Sequence, residues 1–336
     1  MTSDAMESQV VEFKDKKVRL MVAGIFQGLM GAGCLLFSLL FLLMFFVSTM
    51  AAEDLPQSIN FTGILIAFLE FFFFGVWFLT MGFGTIYMRR WARALSLVVC
   101  WMWLVFGSSG LVVNIFYLPN TYRRMAASGE MPESFAQMMI YGMFLFMAIV
   151  LIVIPSILIL LYRGPHTKAT CEHYNPKACW TDSCPLPVLA VSLFFILWTM
   201  VPIGTMLMFH FYPFFGLKMA GIPAIIMMLS FSGLNLLVAL GAYRLKIWSW
   251  WAALFLMTAQ IISYTITFSF MKLEDYYILM GIPEQEIEKL MQFSVMPSPS
   301  MMMGYSFAFL FLLIGYLIYV KKFYRLSEKD AVPVEA

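Results

Sequence analysis

Long apolar segments alternate with shorter polar segments along the whole chain. Eight of the apolar segments reach the length of about 20 residues that a helix needs to cross a hydrocarbon core about 30 Å thick. They are Leu20–Val47, Phe61–Tyr87, Trp91–Leu118, Phe135–Leu161, Val188–Phe211, Gly221–Tyr243, Trp248–Met271 and Met301–Val320. Because lipid offers the backbone no hydrogen-bond partners, we expect each segment to be helical. The pattern predicts an all-α integral membrane protein with eight transmembrane helices.

Composition agrees with this pattern and argues against an ordinary soluble domain. Hydrophobic residues make up 62% of the chain and charged residues 12%, whereas soluble domains are about half apolar and about a quarter charged. The first apolar segment is longer than the roughly 7–15 residues of a signal-peptide core, so we expect it to stay in the membrane. The net charge of +2 gives no reason to expect nucleic acid as a partner.

Lysine and arginine are concentrated on one side of the predicted helices, which we call the basic side. It comprises the N-terminal segment, the turns at Arg89–Arg93 and Arg244–Lys246, the linker after the fourth segment, and the C-terminal tail. Five of the 21 basic residues lie on the other side: Arg123, Arg124, Lys218, Lys272 and Lys289. Since cytoplasmic loops carry an excess of these residues, the basic side is predicted to be cytoplasmic, with both termini there.

Two turns on the basic side share a sequence pattern at a separation of 157 residues. The shift places Gly84 on Gly241, Arg89 on Lys246 and Trp91 on Trp248. These matches predict a duplicated four-helix unit. Because each unit crosses the membrane an even number of times, the copies would share one orientation, as in a parallel repeat. A chance match of common membrane-turn chemistry is the alternative.

The predicted organisation has five parts along the chain. A cytoplasmic N-terminal segment, residues 1–19, precedes the first four-helix membrane unit, residues 20–161. A cytoplasmic linker that contains cysteine and histidine, residues 162–187, leads to the second four-helix unit, residues 188–320. A charged cytoplasmic tail, residues 321–336, follows and is predicted to be solvated and disordered.

Glu70 is the acidic residue that the pattern places inside a transmembrane helix. It lies nine residues from Phe61, and therefore about 13 Å from the outer end of that segment. A carboxylate at this depth is costly, so we expect it to be protonated, paired or exposed to a water-filled cavity. The functional interpretation is a proton or cation site, and the structural one is a neutral acid hydrogen-bonded to a neighbouring helix.

Three amides in other predicted helices, Asn114, Asn235 and Gln260, could line a polar path together with Glu70. Gln27 and Thr265 are further polar residues at apolar positions. Membrane helices commonly use such groups for interhelical hydrogen bonds worth about 0.6–2 kcal/mol each. That structural role is the default interpretation of all five.

The linker brings together residue types that bind zinc: Cys171, His173, Cys179 and Cys184. Three thiolates and one imidazole would suit a tetrahedral zinc ion. The C-x-H-x5-C-x4-C spacing lacks the close C-x2-C pairs of standard zinc fingers, and ordinary reduced linker cysteines are the alternative. Zinc is the one cofactor that the sequence suggests.

Two functions from different classes follow from these features. The first is a transporter or channel for a small solute or ion, which would use Glu70 and the polar residues of the sixth and seventh helices. The second is a non-catalytic membrane subunit or scaffold, which would bind partners through the linker and through amphipathic outer hairpins. An enzyme ranks third, because Glu70 and the linker would be its only chemical resources. The predicted partners are the lipid bilayer and other membrane subunits.

Overall fold

The computed structural model describes residues 14–50, 61–127, 132–208, 211–271, 273–279, 287 and 299–330. Its helices are α1 (Lys17–Met50), α2 (Phe61–Ile86), α3 (Arg90–Ala127), α4 (Glu133–Ala148), α5 (Ile154–Tyr162), α6 (Pro165–Tyr174), α7 (Leu186–Met208), α8 (Ile222–Tyr243), α9 (Ile247–Phe270), α10 (Leu273–Leu279) and α11 (Pro299–Asp330). A π-helical turn, Ile149–Val153, joins α4 to α5, and a 3₁₀ turn, Trp180–Asp182, precedes α7.

Eight helical stretches of the described chain are long and apolar enough to cross a membrane. They are Lys17–Val47, Ala67–Ile86, Arg90–Val112, Glu133–Tyr162, Leu186–Met206, Ile222–Tyr243, Ile247–Thr267 and Ser306–Tyr324. The fourth stretch runs through α4, the π-helical turn and α5. The prediction of a helical, multi-pass integral membrane protein is therefore confirmed.

The chain divides into two compact units. Unit 1 comprises Met1–Ser108 and Ala148–Asp182, and unit 2 comprises Ser109–Met147 and Ser183–Ala336. This division groups residues 109–147 with the second half of the chain, whereas the predicted domain boundaries place them in the first four-helix unit. The two units are described separately below.

In unit 1, α1 and α2 pack closely through glycine. A Cβ atom at Gly31 would lie 2.7 Å from the backbone nitrogen of Leu79 and 2.8 Å from the carbonyl oxygen of Gly75. A Cβ atom at Gly24 would lie 2.8 Å from the carbonyl oxygen of Gly82. Glycine lets two helix backbones approach where no hydrophobic force between helices drives them together.

A buried hydrogen-bonded cluster joins four helices of unit 1. Tyr162 of α5 donates its hydroxyl proton to Gln27 Oε1 of α1 over 2.9 Å. Gln27 Nε2 donates to Ser96 Oγ of α3 over 3.2 Å, and Thr85 Oγ1 of α2 donates to Gln27 Oε1 over 3.4 Å. All four side chains are buried. Gln27 therefore takes the structural role expected of an amide in a membrane helix.

The turn after α2 closes the helix with a residue in the left-handed region. Met88 has a φ of +52°, which is uncommon for a residue other than glycine. The backbone N–H of Met88 donates to the Thr85 carbonyl over 3.0 Å, and that of Arg89 donates to the Gly84 carbonyl over 2.8 Å. This pair of bonds is a Schellman closure, which satisfies carbonyls left over at the end of a helix.

The turn after α8, in unit 2, has the same backbone conformation. Leu245 has a φ of +55°, and its N–H donates to the Ala242 carbonyl over 2.9 Å. The N–H of Lys246 donates to the Gly241 carbonyl over 3.0 Å. These residues are the ones that the 157-residue shift pairs with the first turn.

The buried centre of unit 2 is formed by α7, α8 and α9 with a two-stranded hairpin. Strand β1 (Phe211–Phe214) pairs antiparallel with β2 (Leu217–Ala220). Both residues of the connecting turn have positive φ, +44° at Phe215 and +83° at Gly216, as in the tight turns that suit β-hairpins. Their backbone N–H groups donate to Ser263 Oγ and Thr267 Oγ1 of α9, each over 2.9 Å.

Two features of unit 2 differ from the sequence analysis. The fifth crossing helix was predicted to extend to Phe211, but Phe211 begins the hairpin. The first hairpin residues are apolar, so their composition does not distinguish them from the end of a membrane helix. The tail was predicted to be solvated and disordered from Lys321, but α11 continues to Asp330. The Lys321 ammonium lies 4.2 Å from the ring centroid of Trp250, and such a cation–π contact favours an ordered helix there.

The α1–α2 contact predicts that alanine substitution lowers the stability of the protein at one glycine of α1 and not at another. Gly31→Ala should destabilise the protein by about 1–3 kcal/mol, because the new methyl group meets the α2 backbone. Gly33→Ala is the matched control, since a Cβ atom at Gly33 has no neighbour within 4 Å. Thermal unfolding in mild detergent measures both. Equal melting temperatures for the two variants would contradict this packing.

Candidate functional site

The linker is folded onto the basic side of unit 1. It forms α6, with Pro165 at its first position, and then the 3₁₀ turn Trp180–Asp182. Proline suits the start of a helix because its missing N–H would have no partner there. Thr167 Oγ1 donates to the Leu161 carbonyl over 3.0 Å, which fixes the start of α6 against the end of α5. The linker is therefore ordered, and its helix α6 was not predicted from the sequence.

Arg90, at the start of α3, holds two parts of the linker at once. Its Nη2 atom lies 3.4 Å from Glu172 Oε1 in α6, and its Nε atom lies 3.0 Å from Asp182 Oδ2 in the 3₁₀ turn. Nη1 also donates to the Pro176 carbonyl over 3.4 Å. The Arg90 side chain is only 17% exposed, so these ion pairs are less screened than those on an open surface.

Asn175 completes the end of α2 from the linker. Its Nδ2 atom donates to the carbonyls of Tyr87 and Met88, each over 3.1 Å. Its Oδ1 atom accepts a hydrogen bond from Arg89 Nη1 over 3.0 Å. Carbonyls at a helix C-terminus lack intrahelical partners, so the Asn175 amide supplies the hydrogen-bond donor that these carbonyls would otherwise lack.

Residues just before α1 contact the other face of α6. The backbone N–H of Lys16 donates to Thr170 Oγ1 over 3.0 Å. Tyr174 donates its hydroxyl proton to Asp15 Oδ2 over 3.0 Å, and the Lys17 ammonium lies 4.9 Å from the centroid of the Tyr174 ring. The hydrogen bond to Asp15 raises the pKa of the Tyr174 hydroxyl, because it stabilises the protonated form and the nearby negative charge disfavours the phenolate.

The four predicted zinc ligands are all described, and the structure does not bring them together as one group. Among the described residues, no group of three or more His, Cys, Asp or Glu side chains could hold a metal ion. Burial raises the pKa of the Cys171 thiol to about 11 and that of Cys184 to about 12. Zinc binds the thiolate, so burial of this kind opposes it. The zinc site stays a prediction from sequence that this arrangement does not support.

The remaining linker ligands have other contacts. Cys179 Sγ lies 3.0 Å from Thr181 Oγ1 and donates to Asp182 Oδ2 over 3.3 Å. The His173 ring lies 5.2 Å from the Tyr174 ring in an edge-to-face arrangement. Both residues therefore belong to the folded surface of the linker.

Glu70 is exposed on α2. The helix begins at Phe61, so Glu70 lies nine residues, or about 13 Å, along it, as the sequence predicts. Its neighbours Phe72, Phe73 and Phe74 are exposed as well. The carboxyl group is therefore on the outer surface of its helix, and the described residues do not enclose it.

The three predicted path residues have different environments. Asn114 lies within α3, and its Nδ2 atom donates to the Gly110 carbonyl of the same helix. Gln260 accepts a hydrogen bond from Trp198 Nε1 over 3.1 Å. Asn235 is fully buried in α8, and neither atom of its amide has a hydrogen-bond partner among the described residues. Asn235 is the only one of the three whose side chain is left unsatisfied.

Sequence reasoning missed the residues that hold the linker in place. Arg90 and Arg93 were counted only as topology signals, yet Arg93 Nε donates to the Tyr162 carbonyl over 3.1 Å. The available signal was that three arginines stand within five positions of the α2–α3 turn, which is more than orientation in the membrane requires.

The ion pairs of Arg90 predict how firmly the linker is held. Arg90→Gln should lose about 1–2 kcal/mol of local stability, between the values for surface and buried pairs. Hydrogen exchange in residues 165–182 should then be roughly tenfold faster. Lys168→Gln is the control, because the Lys168 ammonium is more exposed and lies 3.8 Å from Glu172. Equal exchange in the two variants would show that Arg90 does not hold the linker.

The raised pKa of Cys171 predicts its reactivity and a dependence on pH. Its shift from 9.0 to about 11 should make alkylation by iodoacetamide at pH 8 about a hundredfold slower than in the unfolded chain. Because the pKa of Cys171 is higher in the folded state than in the unfolded state, the contribution of the buried thiol to the stability of the folded protein is fully present below pH 9. It is lost as pH rises towards 11. Mass spectrometry of the alkylated peptide, with urea-unfolded protein as the control, measures this. Rapid labelling in the folded protein would contradict the burial.

No family model matches the chain, and comparison with curated proteins and solved structures finds no similar protein. By its eight crossing helices, the chain is a polytopic membrane protein.

Proposed function

We propose that the protein is a non-catalytic membrane subunit that holds a partner polypeptide on the folded linker at its basic side. The observation that carries this proposal is the fixing of the linker by Arg90, which pairs with both Glu172 and Asp182. A linker that only connected two groups of helices would need no such structure. A surface that is ordered before binding loses less conformational entropy when a partner docks.

The exposed residues of the linker suit a protein contact. Aromatic and charged side chains occur together there: His173, Tyr174, Lys177, Trp180 and Asp182 are all exposed. Aromatic residues are enriched in protein interfaces, where they contribute contact area at low entropic cost. We place this surface in the cytoplasm, following the distribution of lysine and arginine.

The position of Glu70 is also consistent with a membrane subunit. Its exposed carboxyl lies among apolar residues about 13 Å from the start of α2, where contact with lipid alone is unfavourable. A hydrogen-bond donor from a neighbouring subunit would stabilise it. Amphipathic outer hairpins were the second predicted contact surface; of the stretch near Ile287, the structure describes only that residue.

We further infer that the two halves are parallel copies of one four-helix unit. The matching turns at Met88 and Leu245 support this, since both close a helix in the same way. A second correspondence between the halves involves Arg93 and Trp250, which are 157 positions apart. Arg93 donates to the Tyr162 carbonyl, and Trp250 donates to the Leu317 carbonyl over 2.6 Å. Each of these bonds reaches the fourth crossing helix of its own half.

Transport of a small solute is the second candidate function, and Asn235 favours it. A buried amide without partners typically costs about 1–3 kcal/mol, so such a group often has a functional reason. Asn235→Leu separates the two roles in a flux assay on reconstituted vesicles. Loss of flux in this variant would favour transport, whereas a more stable variant without a change in flux would favour a structural role.

A photo-crosslinking experiment in native membranes tests the docking proposal. A crosslinking amino acid at position 177 should give one discrete adduct with another polypeptide, because Lys177 is exposed on the linker. The same probe at Arg244, exposed in the second basic turn, is the matched control and should give none. Arg90→Gln should reduce the adduct at position 177 by roughly tenfold, because the surface is then less ordered.

Two outcomes would contradict the docking proposal. One is a chain that crosslinks to nothing from position 177 in its native membrane. The other is an adduct that forms equally well from positions 177 and 244, which would indicate contact by random collision.

A further inference from the structure

We infer that unit 1 has a binding groove for an anionic phospholipid between α1 and α5, on its basic side. The groove has a volume of about 430 Å³, which lies within the range of roughly 300–1,000 Å³ found for small-molecule sites. Its lining comprises Arg19, Val22, Ala23 and Phe26 of α1, and Ile154, Ile157, Leu158 and Leu161 of α5.

The spacing of the lining residues shows how two helices form this groove. On each helix they follow the i, i+3, i+4, i+7 pattern, so they lie on one face. Ala23 and Leu158 are buried at 3% and 2% exposure and form the floor. Val22 and Ile157 are 62% and 51% exposed and form the rim. The groove is therefore open along its length to the surrounding lipid.

Charge is confined to one end of the groove. Arg19 lies in the first turn of α1, and Phe26 lies seven residues further along, hence about 10 Å deeper. Leu161 is near the end of α5, close to the same membrane boundary. The walls are apolar below Arg19. This order of a cation at the boundary and apolar surface beneath it matches a phosphate headgroup followed by an acyl chain.

Arg19 is available to a ligand in a way that Lys17 is not. The Lys17 ammonium lies 4.9 Å from the centroid of the Tyr174 ring. Among the residues that the structure describes, the Arg19 guanidinium has no hydrogen bond or ion pair, and its side chain is exposed. Guanidinium groups bind phosphate oxygens through two parallel hydrogen bonds. A phosphodiester at the membrane boundary would accept these two hydrogen bonds from Arg19.

The charge of the basic side selects the class of lipid. Arg163 follows α5 at the same boundary and is exposed, so an anionic headgroup experiences a second positive charge nearby. Each basic residue near an anionic membrane surface contributes attraction of roughly 1 kcal/mol. Phosphatidylglycerol should therefore be preferred over phosphatidylcholine with the same acyl chains. The occupant that we propose is an anionic glycerophospholipid from the leaflet on the basic side.

Native mass spectrometry of the delipidated full chain tests the proposal. Dioleoyl phosphatidylglycerol and dioleoyl phosphatidylcholine are titrated separately, and the fraction of protein with one bound lipid is measured. Arg19→Gln should weaken phosphatidylglycerol binding about fivefold, the factor that corresponds to roughly 1 kcal/mol for one basic residue. It should leave phosphatidylcholine binding nearly unchanged. Arg244→Gln, which removes an exposed charge of the second basic turn outside unit 1, is the control and should have a smaller effect.

A second pair of variants tests the groove itself. Val22→Trp fills it from the rim, where an exposed position tolerates the larger side chain, and should reduce binding of both lipids. Val18→Trp places the same side chain on a 74% exposed position of α1 that does not line the groove, and it should bind like the unmodified protein. Thermal unfolding of all four variants checks that each is folded.

Several outcomes would overturn the proposal. Equal binding of the two lipids, or equal losses in Arg19→Gln and Arg244→Gln, would indicate general surface attraction. Equal binding by Val22→Trp and Val18→Trp would exclude the groove as the site. A dimer that dissociates only in Val22→Trp would assign the groove to a second copy of the chain. Lipid binding that appears only after removal of residues 2–13 would assign it to the N-terminal segment.

Discussion

The polar groups where α2 ends and α3 begins need partners at the edge of the hydrocarbon core, and this constraint organises unit 1. The carbonyls of Tyr87 and Met88 receive hydrogen bonds from Asn175. The mostly buried guanidinium of Arg90 is neutralised by two carboxylates of the linker. Without the linker, these groups would lose their partners where water reaches them incompletely. The linker is therefore part of the unit 1 fold, and its outer surface is ordered as a consequence.

The second basic turn meets the same constraint with different chemistry. Its backbone is closed as in the first turn, but Ile247 and Trp250 occupy the positions that correspond to Arg90 and Arg93. Trp250 donates its indole N–H to the backbone of α11, and Lys321 lies over its ring. These contacts join two helices of unit 2 and involve no linker. If the halves are copies, a folded polar surface has been added to only one of them, and this asymmetry is what a docking role requires.

The sequence predicts the crossing helices well because helix length and apolarity are local properties. The matching turns were also predictable, since Gly84 and Gly241 each precede a basic residue and a tryptophan. The rotation of each helix about its axis was not predictable. In a membrane, the side chains facing lipid and those facing the protein are both apolar, so periodicity does not distinguish them. In α2, for example, Phe72 is exposed and Gly75 is buried. The environments of Glu70 and Asn235 depend on this rotation.

The exposed charges of unit 1 show how its surface is matched to the bilayer. In its described crossing stretches, Arg19 and Glu70 are the exposed charged residues; Arg19 lies in the first turn of α1, and Glu70 lies about 13 Å along α2. The rest of the exposed surface of these helices is largely apolar, with Phe37, Leu40 and Phe73 among its residues. Apolar side chains pack against acyl chains without direction, whereas a charged group favours a partner of defined chemistry. Among the described residues of unit 1, the groups able to make directed contacts are therefore these two charges and the polar surface of the folded linker.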